Sequence, residues 1–150
     1  MIHAAFEKIA QEIAAMAGAE TDWHHLAKTG LLHIDGVPMK IQPDITAQQE
    51  RLVLHVDFGS LPDEGEEDLM RMLLGVNFLA SVSNLRFFST NPKNGQIIAT
   101  SRLPLNDETD GARMIERLRE EVRAVREWQE LWSSPDMTEA TAPEYFFDKI

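Results

Sequence analysis

A chain of 150 residues with 14 Lys and Arg against 25 Asp and Glu has a formal net charge of −11, which excludes the concentrated positive potential that nucleic-acid backbones and anionic bilayers select. Its 43% hydrophobic and 26% charged residues suit a globular protein, no apolar run is long enough to span a bilayer, and the absence of cysteine rules out a disulfide scaffold. A single intracellular folded unit is expected, with an acidic surface suited to a basic or amphipathic polypeptide partner.

Residues 2–17 place Ile2, Phe6, Ile9, Ile13 and Met16 on one stripe with Ala filling most of the rest, and Gly18 follows as a stop, so this segment is predicted to be the first helix. Glu7, Lys8 and Glu12 interrupt the apolar run that an export signal requires. The next stretch, TDWHHLAKTG, is polar and expected to be irregular. LLHIDGVPMKIQ then reads as two short strands turned at Asp35-Gly36. From Arg51 to Phe58 the alternation is clear: Leu52, Leu54, Val56 and Phe58 share a core face, and Arg51, Val53, His55 and Asp57 share a wetter one.

Behind the acidic run DEGEED, the segment DLMRMLLGVNFLAS from Asp68 to Ser81 has helical spacing, and its carboxylates favour the positive end of the helix dipole. It is apolar on two sides. Leu69, Met72, Leu73 and Val76 point one way, while Met70, Leu74 and Phe78 point the other. A surface helix needs only one apolar stripe, so the second must be covered by something, and a two-fold interface with another copy suits a small domain built on one sheet. The following NLRFFSTNPKNGQIIATSRLPL predicts a second hairpin, with Asn94-Gly95 supplying positive backbone angles and Pro104 ending the second strand. Residues 107–132 form the last helix, with Met114, Leu118, Val122, Val125 and Trp132 near one line and five arginines among glutamates on the solvated side. From Ser133 to Ile150 the chain, rich in Ala, Thr and Glu, is expected to be a flexible extension of a domain covering residues 1–132. The fold class is therefore α+β: helix, three strands, helix, two strands, helix, with a single antiparallel sheet packed by helices.

Candidate chemistry is sparse. His24 and His25 are adjacent and point in different directions, whereas His33-Ile34-Asp35 and His55-Val56-Asp57 each place two possible metal ligands on one strand face, and if the two strands paired in register His33, Asp35, His55 and Asp57 would converge as the site of a metal-dependent enzyme. The spacing matches none of the recognised zinc patterns, so no metal and no cofactor are expected. Asp57-Phe58-Gly59 matches a kinase tripeptide by chance, since the chain lacks the accompanying glycine-rich and catalytic loops. No catalytic residues are assigned and no enzymatic activity is expected.

These segments resemble the type III secretion chaperone family typified by the Tir chaperone, the small acidic homodimeric chaperones of bacterial effectors. LLGVNFLAS is similar to that family's leucine-rich second helix ending in Asn, here Asn77. The hairpin NPKNGQIIATSRLPL, whose LPL at Leu103 to Leu105 leads into the last helix, and REWQELW around Trp128 strengthen the likeness. The resemblance implies a cytoplasmic bacterial homodimer without catalysis, whose partner is the N-terminal segment of a secreted effector, held extended, soluble and competent for export. By that resemblance Met70, Leu74, Asn77 and Phe78 form the dimer interface. Phe6, Ile9 and Ile13 with Leu32, Ile34, Met39 and Ile41 form the cargo groove, Phe6 and Met39 foremost. An intracellular interaction module of the same fold without secreted cargo is the alternative.

Overall fold

The computed structural model describes residues 2–17, 22–44, 50–83, 86–106 and 109–133. The element order is α1 (Ile2–Ala17), α2 (Trp23–Thr29), β1 (Leu31–Ile34), β2 (Val37–Pro43), β3 (Arg51–Ser60), α3 (Glu66–Ser83), β4 (Phe87–Thr90), β5 (Gln96–Pro104) and α4 (Gly111–Ser133). The strands form one sheet in the order β1-β2-β3-β5-β4, giving the expected α+β class with one helix more than anticipated. The extension expected from Ser133 onward falls almost wholly on residues outside those described.

That extra helix, α2, corrects the reading of TDWHHLAKTG as irregular. Its ends carry the explanation. Asp22 caps the N-terminus by accepting the His24 N–H at 2.9 Å, a bond that holds its carboxyl below the usual range. At the other end Gly30 adopts φ 74 and donates its N–H to the Leu26 carbonyl at 2.7 Å. Seven residues hold too little periodicity to announce a helix, and a single buried side chain, Leu26, anchors it.

The chain divides into two compact units, residues 1–56 with 102–122 and residues 57–101 with 123–150. In the first, α1 packs against α2 and β2, and α2 packs on β1. The Asp35-Gly36 turn has φ 48 and 81, the paired positive angles of a tight hairpin, and aligns Ile34 with Val37 and Leu32 with Met39. Strand alternation then buries Leu32, Ile34, Val37, Met39, Ile41, Leu52, Leu54 and Val56 on one face. The start of α4 is tied to α1: the Gly111 N–H donates to Glu12 Oε2 at 2.5 Å across 99 residues of sequence, and a Cβ on Gly111 would overlap the Glu12 side chain. On α4 the expected solvated cations need one correction. Glu121 is only 1% exposed and lies 3.0 Å from the half-buried Arg117, a buried ion pair that the alternation of charges in the sequence concealed.

On the opposite sheet face of this unit the Asp44 carboxylate, its side chain 8% exposed, pairs with Arg51 Nε at 2.7 Å and lies 4.0 Å from Arg102 Nε. His55 stands opposite Lys40 in register, and burial, followed by repulsion from Lys40 and Arg102, holds its imidazole below the ordinary value of 6.5. The fold therefore favours neutral His55. Its stability is full above pH 6.5 and falls as the pH drops from 6.5 through the lowered folded value, because there the unfolded chain binds more protons. His55→Gln is expected to reduce the loss in urea midpoint between pH 7.5 and pH 5.5 (assay settings), and an unchanged loss would rule this group out as its source.

In the second unit α3 packs against β4, with Leu69, Met72, Leu73 and Val76 buried as expected. Glu66, Glu67 and Asp68 occupy its first turn. Phe58, Phe88 and Trp128 form an aromatic cluster with ring centroids 5.3–6.1 Å apart, Phe58 meeting the other two edge to face. The second hairpin differs from expectation in its turn. Only Gly95 takes a positive angle, φ 70, and the Asn91 carbonyl accepts the Gly95 N–H at 2.8 Å, so the connection is longer than a two-residue turn.

Candidate functional site

Two places combine exposed apolar surface with an arrangement that a polypeptide can use. The first lies along β1. Ile34 and Val37 flank the two-residue turn and form the first bonded pair of the hairpin, so bonding alternates back along β1, and Leu31 and His33 direct their backbone groups away from β2. Pro38, which has no N–H, stands opposite His33 where the β1–β2 ladder requires none. Thr29 Oγ1 takes the Leu31 N–H at 3.2 Å, leaving the His33 N–H and the carbonyls of Leu31 and His33 aimed at the open side of an edge strand.

Beside this edge is a cavity of about 630 Å³. Met16 and Ala17 from α1, Leu31, Leu32 and Ile34 from β1, and Ile115 from α4 supply its apolar lining. Asp22, His25, His33, Asp35 and Arg119 supply polar groups around it. Met16 and Leu31 are 47% and 48% exposed, so the apolar lining reaches the surface.

The expected groove residues are placed otherwise. Phe6, Ile9, Ile13, Leu32, Ile34, Met39 and Ile41 are all buried, and among them only Leu32 and Ile34 line the cavity. Phe6 and Met39, at 3% exposure each, belong to the core of this chain. Of α1 it is Met16 and Ala17, in its last turn, that line the cavity, whereas Phe6, Ile9 and Ile13 on the same helix do not.

The second place is α3. Met70, Leu74 and Phe78 are 39%, 70% and 76% exposed at intervals of four residues, forming one line along the helix. Asn77 does something different from its neighbours. Its Nδ2 donates to the Phe88 carbonyl at 2.8 Å and its Oδ1 accepts the Phe88 N–H at 2.7 Å, so its carboxamide is engaged within the chain.

The metal alternative required β1 and β3 to pair. They do not: β2 lies between them, and among the described residues no three potential ligands come together. Among the same residues no helix is long and apolar enough to cross a membrane.

The chain, which has an open sheet edge with an apolar cavity beside it in one unit and an exposed helix stripe in the other, is matched by a known sequence pattern, that of the Tir chaperone protein (CesT) family, over residues 31–129. The chain belongs to that family. It is thereby an effector chaperone of type III secretion, as the motifs LLGVNFLAS and REWQELW imply. A search of curated protein sequences gave no match. Among solved structures, a chain from one described as the HopA1-SchA chaperone-effector complex is similar with a TM-score of 0.50 and 17% identity, covering 67% of this chain and 73% of that one. At that identity the likeness is one of fold. The pattern for the Tir chaperone family begins at Leu31, so α1 and α2, which supply Met16, Ala17 and His25 to the cavity wall, lie outside the matched span.

Proposed function

We propose that this chaperone acts in the bacterial cytoplasm as a homodimer and receives the N-terminal segment of an effector in extended form along β1. The observation that carries this reading is the coincidence of an outward-facing strand backbone with an apolar cavity immediately beside it. Main-chain bonds to His33 and Leu31 provide affinity with little demand on cargo sequence, and the cavity accepts the apolar side chains that alternate along such a strand. No covalent step is involved, and no cofactor is used. Residues 1–132 act as the chaperone domain.

The cargo groove is accordingly built from Met16, Leu31, Leu32 and Ile34, with Phe6, Ile9, Ile13, Met39 and Ile41 supporting it from the core. Methionine at the mouth suits a site that repacks around different side chains. Met70, Leu74 and Phe78 meet a second copy, and Asn77 contributes to that interface by fixing α3 rather than by reaching across it.

Native mass spectrometry of the protein drawn gently from its own cells is expected to find two copies carrying one larger polypeptide, protected from protease only near its N-terminus. Met16→Asp, which charges the cavity mouth, and His33→Pro, which removes an outward N–H without touching the β1–β2 ladder, are each expected to weaken cargo binding by roughly tenfold or more, the effect of losing about 1.4 kcal/mol. Undiminished affinity in both variants, or a partner held as a folded domain, would overturn the reading.

A further inference from the structure

An open edge that accepts cargo raises a problem at the other end of the sheet, where β4 is also an edge strand. Asn91 bonds to Gln96 at the close of the second hairpin, its N–H donating to the Gln96 carbonyl at 2.8 Å. Antiparallel alternation from that pair, through the register Thr90 with Ile97 and Phe88 with Ala99, directs the backbone groups of Thr90 and Phe88 away from β5. These are the groups that an added strand would seek. At Phe88 both are already engaged, by the donor and acceptor of the Asn77 carboxamide at 2.8 and 2.7 Å. A carboxamide presents the same donor and acceptor pair as a peptide unit, so Asn77 stands where the backbone of a sixth strand would stand.

We propose that Asn77 is an edge guard: its clasp on Phe88 closes the β4 edge to strand addition, so that the sheet accepts an extended polypeptide only along β1. The guard itself needs only the observed geometry; its consequence for cargo rests on the function proposed above. The remaining features of β4 agree with it. The strand is four residues long, and α3, which carries Asn77, packs directly on it. Short length and a covering helix are two further ways in which proteins disarm a sheet edge. Aspartate at 77 would keep the acceptor and lose the donor, and alanine would lose both.

Two measurements test the guard without any cargo. In the wild-type chain, hydrogen exchange by NMR is expected to show the Phe88 amide exchanging roughly tenfold or more slowly than the Thr90 amide, with one Asn77 Nδ2 proton slowed as well. Equal rates at Phe88 and Thr90, with fast exchange at the side chain, would overturn the proposal. Asn77→Ala, folded by circular dichroism, is expected to form species larger than those of the wild type, in proportions that rise with protein concentration. Adding Thr90→Pro, which deletes the remaining outward N–H without breaking the bonds to β5, is expected to return the wild-type mass distribution. An Asn77→Ala protein with an unchanged mass distribution would overturn the proposal, as would larger species that survive the added proline. Failure of the wild type to bind a cargo strand would instead count against the β1 reading and leave these results standing.

Discussion

Replacing Leu74 and Phe78 together with Asp is expected to convert the proposed dimer to a monomer that keeps its fold. The two side chains are 70% and 76% exposed, so their loss removes little from the core of a single chain, and substitutions at such positions usually change stability by within about 0.5 kcal/mol. At a two-fold interface the same side chains count twice. Full burial of a Leu or Phe contributes roughly 1.5–3 kcal/mol, and carboxylates placed there would have to be stripped of water. The expected shift in the dimer dissociation constant is therefore several orders of magnitude. Native mass and far-UV circular dichroism measured on one sample separate the outcomes. A persistent dimer with a native spectrum would place the interface elsewhere, and Met70 alone would not rescue it.

Gly30→Ala is expected to destabilise this chain far more than an added methyl group ordinarily does. At φ 74 an L-residue carries a left-handed cost of roughly 1–2 kcal/mol. Beyond that, the new Cβ would stand 2.1 Å from the carbonyl oxygen of Ile41, which is backbone and has no rotamer to escape into. The same glycine ends α2 and gives its carbonyl to the Ile41 N–H at 2.8 Å, so relief of the clash must pull β2 from its place. A loss of about 3 kcal/mol or more is expected, lowering the melting temperature by roughly 10 °C. Gly95→Ala supplies the comparison. Its φ is 70, yet nothing lies within 4 Å of the added atom, so it isolates the backbone cost. Equal melting temperatures for the two variants would show that β2 yields freely at Ile41.

The particulars explain which parts of this molecule could be read from its sequence. Long periodic segments announced themselves: α1, α3 and α4 have enough turns for a stripe to repeat, and β3 has ten residues over which alternation is plain. The seven residues of α2 had no such room, and its ends are held by the Asp22 cap and the left-handed Gly30, which leave no apolar stripe to read. The two-sided character of α3 was legible, because Leu74 and Phe78 lie off the stripe that the sheet requires. The cavity was not, because a stripe records which residues are apolar and not which of them the rest of the chain covers. Phe6 and Met16 share a stripe, and only the arrangement of neighbouring elements buries one and exposes the other. Asn77 was legible as a motif position but not as a clasp, since its partner is a backbone eleven residues away rather than a side chain with a type.

The bond from Gly111 to Glu12 closes a path through the chain whose consequence is temporal. The unit containing α1 needs residues 102–122, and the other needs residues beyond 122, so neither is an uninterrupted stretch of polypeptide. A ribosome delivers α1 and the β1–β2 hairpin first, yet the Gly111 N–H that binds the Glu12 carboxylate emerges only 99 residues after it. Until then the apolar faces of α1 and the hairpin lack the part of their cover that α4 brings. Neither unit can be released by a single cut, and a chain stopped within β5 would lack the closing helix of both. Among the described elements α4 is the last to be made, and both units wait on it.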